Sequence, residues 1–266
     1  MDKLIVLGTG NAAVTKCYNT CFAITSGKEY FLIDAGGGNG ILTQLEKANI
    51  DIKDIHHMFV SHKHTDHLLG VIWIIRIVCS LINSNKYVGD LNIYCSKELA
   101  SIIDTIAKLT IHRDLTKVIG DRVKYVIIND KEKLKVLDYE LEFFDTYSPK
   151  DEQFGFILNY NNKKLVFLGD EPYNNKMDEA VMNSDWLLTE AFCLYEEKDI
   201  FKPYEKFHST AKDAAEISEK LHVKNIVLWH TEDKNIKNRK ELYTKETKEY
   251  YNGNIYVPND LEVIDL

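Results

Sequence analysis

Proline is scarce in this 266-residue chain, at four residues, and the thirteen glycines are scattered rather than clustered. With no low-complexity linker and no internal repeat, one domain over residues 1–266 is expected, long enough to bury a substantial core. The five cysteines (Cys17, Cys21, Cys79, Cys95, Cys193) are odd in number, and none sits in a CxxC pair. That excludes a disulfide framework and a thiolate zinc site, and fits a reducing cytoplasm. Basic charge is in deficit too. A net charge of −8 argues against gripping nucleic acid by counterion release alone, so a polyanionic substrate would need a metal. The longest apolar run, "LLGVIWIIRIVCSLI", is broken by Arg76 and falls short of the roughly 20 residues a bilayer requires, so no membrane segment is expected. "MDKLIVLGTGNAA" reads as a first strand and glycine turn, not a signal peptide.

What is present is a succession of short β-branched and aromatic runs. "KLIVLG", "CFAIT", "YFLIDA", "HHMFVS", "LNIYCS", "VKYVII", "LEFFDTY", "GFILNY", "KLVFLGD", "WLLTEAF", "NIVLWH" and a closing pair, "IYVP" and "LEVIDL", read as strands. Helices are expected at 68–84, 97–109, 175–182, 210–221 and 238–250, the fourth capped by Ser209 or Thr210 with Asp213 in its first turn. "NYNNKK" reads as the turn of a plain hairpin. This order predicts an α/β chain with two mixed sheets packed face to face and helices outside, an αββα sandwich whose loops at strand ends carry the site.

One stretch carries the chemistry. "FVSHKHTDHLLG", residues 59–70, crowds His62, His64, Asp66 and His67 into six positions after an apolar run. In a strand-to-helix turn these side chains converge, whereas a continued strand would send Asp66 and His67 to opposite faces. Imidazole suits zinc, iron or manganese, and a carboxylate adds charge for a second divalent ion. Asp170 and His230 each end an apolar strand, where a sheet rim would place them.

These residues resemble the HxHxDH signature of the metallo-β-lactamase-fold hydrolases, and their surroundings resemble the ribonuclease Z-like branch. "LGTGNA", "FLIDAGGGNGILTQL", "HLLGVIWIIR", "VFLGDEPY", "WLLTEAF", "HST" and "IVLWH" follow in that branch's order over nearly the whole chain. The resemblance implies two divalent ions, taken as Zn with Mn or Fe as alternatives. His62 and His64 would hold one, Asp66, His67 and His230 the other, and Asp170 would bridge them. It also implies that Asp66 orients a metal-held hydroxide, and that His208, paired with Glu190, protonates the leaving group. The family's further histidine is missing: "FFDTYSPKDEQFGF" has Tyr147 before Ser148. The first ion's site is therefore expected to be weak unless Asp145, Asp151 or Tyr147 substitutes. His112 reads as an exposed surface residue.

The family's tRNA-binding arm is also missing. Asp145 and Asp170 lie only 25 positions apart, filled by the hairpin. The expected activity is that of a phosphodiesterase on a small molecule or RNA, in a chain able to work as a homodimer. Two alternatives stand beside it: an ester or lactone hydrolase using the same site, and a metal-binding sensor with a degenerate first site.

Overall fold

The structure, a computed structural model, describes residues 2–266. The chain divides into two compact units. The first comprises residues up to Gly8, Tyr18–Ile128 and Asp260–Leu266; the second comprises Thr9–Cys17 and Asn129–Asn259. Each unit is built on one seven-stranded mixed sheet.

In the first unit the strands are β1 (Lys3–Gly8), β2 (Cys21–Thr25), β3 (Tyr30–Ile33), β4 (Ile55–Phe59), β5 (Leu91–Cys95) and β6 (Val123–Ile127). β1–β3 are antiparallel neighbours, and β3–β6 run parallel. Helices α1 (Gly40–Lys47), α2 (Thr65–Asn83), α3 (Lys97–Thr110) and α4 (Arg113–Thr116) belong to the same unit. Leu7, Ala23, Leu32, Met58 and Ile93 pack with Leu68, Val71, Ile75, Leu99 and Ile103 into its core. The alternate residues Leu4, Val6, Phe22, Ile24, Phe31 and Ile33 are fully buried as well. Burial on both faces is why these strands read as continuous apolar runs rather than alternating ones.

By length and composition α2 is apolar enough to cross a membrane, but it is mostly buried, with Leu68, Val71, Ile74, Ile75, Val78 and Ile82 in the first core. It also lies against backbone. Gly70 N–H donates to the Gly36 carbonyl at 2.8 Å, and a Cβ at position 70 would stand 1.8 Å from the Ala35 carbonyl oxygen. Only glycine allows that approach.

The second unit holds β7 (Lys133–Val136), β8 (Tyr139–Asp145), β9 (Phe154–Tyr160), β10 (Lys163–Phe167), β11 (Trp186–Glu190), β12 (Asn225–Trp229) and β13 (Asn254–Tyr256). Its helices are α5 (Asp178–Val181), α6 (Lys198–Phe201), α7 (Ala211–Lys220) and α8 (Arg239–Thr247). β7–β10 are antiparallel, and β10–β13 run parallel. Val166, Leu187, Ile226 and Leu228 pack with Ala211, Ala215, Leu221 and Tyr243. The expected hairpin is β9–β10, turning through Asn161 and Asn162, both with positive φ, as a two-residue turn requires. α7 opens with the expected cap: Thr210 Oγ1 accepts the Asp213 N–H, and Asp213 in turn accepts the Thr210 N–H.

One expectation is corrected. The last two strands are not a pair. β13 adds in parallel to β12, whereas β14 (Val263–Asp265) pairs antiparallel with β1 in the other sheet. Three-residue strands gain more backbone hydrogen bonds by completing an existing sheet edge than by forming an isolated ribbon.

Candidate functional site

In the first unit the polar side chains gather where two parallel strands end. Ile33 of β3 pairs with Phe59 of β4, so the segments leaving these strands start at the same sheet edge. Asp34 has left-handed backbone, φ 53°. Its Oδ1 accepts the Ser61 N–H at 2.8 Å; its Oδ2 accepts the Ser61 hydroxyl at 2.8 Å and faces His67 Nδ1 at 2.7 Å. Ser61 Oγ also lies 2.9 Å from His62 Nδ1. Because its one proton goes to Asp34, His62 Nδ1–H is the donor in that contact. Both imidazoles then carry a proton on Nδ1, which directs Nε2 to act as ligand. A carboxylate behind a histidine fixes tautomer and ring orientation in this way.

The expected residues of this segment stand together. The ring of His62 is 4.3 Å from that of His67 and 4.5 Å from that of His64, centroid to centroid. His64 is the half-buried N-cap residue of α2, and Asp66, in the helix's first turn, brings Oδ2 to 3.4 Å from His67 Nε2. Burial works against a charged His67, but Asp66 and Asp34 outweigh it and push the imidazole well above its ordinary value. Positive charge is favoured at this point.

In the second unit, three neighbouring parallel strands deliver three groups from their carboxyl ends. Asp170 follows β10 through Gly169 (φ 71°), Glu190 ends β11, and His230, at φ 55°, follows β12. His230 Nε2 lies 3.7 Å from Asp170 Oδ2, and one ligand atom each from Asp170, His208 and His230 fall within 4.8 Å of one another. Glu190 is fully buried. Its Oε1 accepts the N–H and hydroxyl of Ser209 at 2.6 and 2.5 Å, and its Oε2 faces His208 Nδ1 at 3.6 Å. Phe192 stacks on the His208 ring at 4.8 Å and 12°, fixing its plane. These nitrogen and oxygen donors, several of them in buried side chains, suit a divalent ion of the zinc, manganese or iron type.

The segment lacking the histidine is also defined. Tyr147 is exposed, at φ 56°, with the Lys176 ammonium 4.5 Å above its ring, and its N–H donates to Asp145 Oδ1. Asp145 and Asp151 do not join the group formed by Asp170, His208 and His230. His112 is exposed and caps α4, as expected. Sequence reasoning did not single out Asp34, Ser61 or Lys150 as site residues. The aspartate–glycine segment was a signal for the first; nothing flagged the other two.

The metallo-β-lactamase-fold protein YhfI from Bacillus subtilis superposes with a TM-score of 0.80 over 99% of this chain and 98% of that one, at 17% identity. Ribonuclease Z from Bacteroides fragilis is 23% identical over 271 residues, covering 86% of this chain and 88% of that protein. Ribonuclease Z from Methanococcus aeolicus is 32% identical over 139 residues, 52% of this chain and 40% of that protein's length. The fold is therefore the metallo-β-lactamase fold, and the chain is a metal-dependent hydrolase of its ribonuclease Z-like branch. Within that class, the chain belongs to the family of the anti-Pycsar protein Apyc1, whose model matches residues 2–250.

Proposed function

We propose that residues 1–266 form one cytoplasmic hydrolase domain that cleaves a small phosphodiester. His62, His64, Asp66, His67, Asp170 and His230 are its metal ligands, and Asp66, His208 and Glu190 its catalytic groups. The observation that carries this reading is the buried Glu190 facing His208 beside Asp170 and His230. Ester or lactam cleavage does not require such a pair, whereas a departing alkoxide needs a proton donor. The name of the relatives, Ribonuclease Z, supports a phosphodiester as the bond cleaved. The family description supports a role that counters Pycsar.

Divalent metal, zinc by preference and held only weakly at the first of the two expected sites, would supply the charge that acidifies a water molecule and neutralises a phosphoryl oxygen. Asp66 orients the attacking water and accepts its proton. His208, held by Glu190 and by the Phe192 ring, gives a proton to the leaving oxygen. His208 stands two residues ahead of Thr210, the N-cap of α7, and the positive dipole end of that helix favours an anionic substrate.

A small substrate is favoured over a folded RNA because a plain hairpin stands where an arm would be and the net charge is −8. The test is purified protein of measured metal content, challenged side by side with a bis(aryl) phosphodiester, a cyclic nucleotide, a lactone and a precursor transfer RNA. Cleavage of the two small diesters is expected. Cleavage of the lactone alone would reverse the assignment, and cleavage of the precursor RNA alone would restore the RNA reading. Light scattering of the same sample tests the homodimer.

A further inference from the structure

We infer that Lys150 is a fixed cation held against Asp170 in place of the missing histidine, so that the centre carries one tightly bound divalent ion and one ammonium instead of two ions. The inference rests on the proposed role of Asp170 as a metal ligand.

Three observations support it. The loop between β8 and β9 is closed by the Thr146 N–H, which donates to the Gln153 carbonyl at 3.0 Å, and Ser148 Oγ accepts the Lys150 N–H at 3.2 Å. Within this loop Tyr147, the residue at the expected histidine position, is exposed, while the Lys150 side chain is turned inward and only 14% exposed. The Lys150 ammonium reaches two buried carboxylates, at 3.7 Å from Asp170 Oδ2 and 3.5 Å from Glu171 Oε2. Asp170 Oδ2 is also the oxygen that His230 Nε2 approaches at 3.7 Å. An ammonium donates and cannot ligate a metal. It therefore satisfies the charge of Asp170 but repels a dication that would share the same carboxylate, and in a buried, weakly screened site that repulsion is strong. A histidine at this place would do the opposite, adding a neutral donor and no charge.

The experiment counts metal. The full chain is stripped, reloaded with Zn²⁺ or Mn²⁺, passed through gel filtration and assayed by plasma emission, with a calorimetric titration alongside. One tight ion per wild-type chain is expected. Lys150→His should bind a second ion at least about tenfold more tightly than wild type, the scale on which partners of a metal centre act. Lys150→Arg, which keeps the positive charge, should stay at one ion. Two ions of matched affinity in wild type would overturn the inference, and so would a Lys150→His chain whose second ion binds no better. The wild-type count decides the matter even if a variant fails to fold. Diester hydrolysis by the same samples separates the two readings. One ion without hydrolysis removes the phosphodiesterase and keeps the Lys150 assignment; two tight ions with hydrolysis does the reverse. A chain that takes up no ion removes both.

Discussion

Asp34 shows how far a single residue can matter without being an expected ligand. Its carboxylate receives Ser61 through both backbone and hydroxyl and faces His67 Nδ1, so it sets the direction of two imidazoles. Asp34→Ala is expected to weaken divalent-metal binding by roughly 10–100-fold without emptying the fold of its core, as read by calorimetric titration beside a melting curve. His208 and Asp170 separate by the same measurement. His208→Ala should lose about 10²–10⁴-fold in turnover on a diester with a poor leaving group while keeping its metal. Asp170→Ala should lose the metal; equal metal loss in both variants would make His208 a ligand instead of a proton donor. The HxHxDH residues were legible because four chemical groups within six positions have few other uses. Lys150 was not, because a lysine in a polar loop reads as solvated until its burial between two carboxylates is known.

At the scale of elements, the expected strands are found with their ends shifted by a few residues, and two of the elements that went unread, β7 and α1, have physical reasons. β7, "KLKV", is an edge strand with lysines at alternate positions, a pattern that protects an edge from further pairing and disguises it as a loop. α1 follows three consecutive glycines, which read as a turn. Between α2 and the segment after β3, the tolerance is set by Gly70. Gly70→Ala would drive a methyl into the Ala35 carbonyl, and it should cost about 1–3 kcal/mol in a denaturant melt, typical of overpacking. It should also lower metal affinity, because Asp34 and His67 sit on the two elements being forced apart. Loss of stability with metal affinity unchanged would show that the two elements move together.

Across the whole molecule, the N-terminal residues of the second unit are fastened by one carboxylate. Asp233 accepts the Thr15 N–H at 2.8 Å and the Lys16 N–H at 3.0 Å, and Lys16 adds an ion pair. The Thr15 amide, foremost, and the Lys16 amide and ammonium outweigh the effect of burial and hold the Asp233 carboxyl below its ordinary range. A folded pKa below the unfolded one gives stability that is present above about pH 4 and lost as the pH falls through the depressed value. Exchange protection of the Thr15 and Lys16 amides should therefore fade in that acid window, and in Asp233→Asn it should already be reduced at neutral pH. Protection of the two amides that is the same in Asp233→Asn as in wild type at neutral pH would count against the anchor.

By itself the sequence determined the class of fold, the cluster of histidines and aspartate at residues 62–67 and the armless hairpin, because each is written in local chemistry: side-chain spacing, apolar runs and turn residues. Tertiary structure alone decided which strands stand side by side. The parallel order β10–β11–β12 brings Asp170, Glu190 and His230 to one sheet edge, and the separation of β13 from β14 completes two sheets instead of forming a closing pair. Pairing between strands distant in the chain depends on backbone hydrogen bonds and on burial of both sheet faces. No local stretch of residues encodes either.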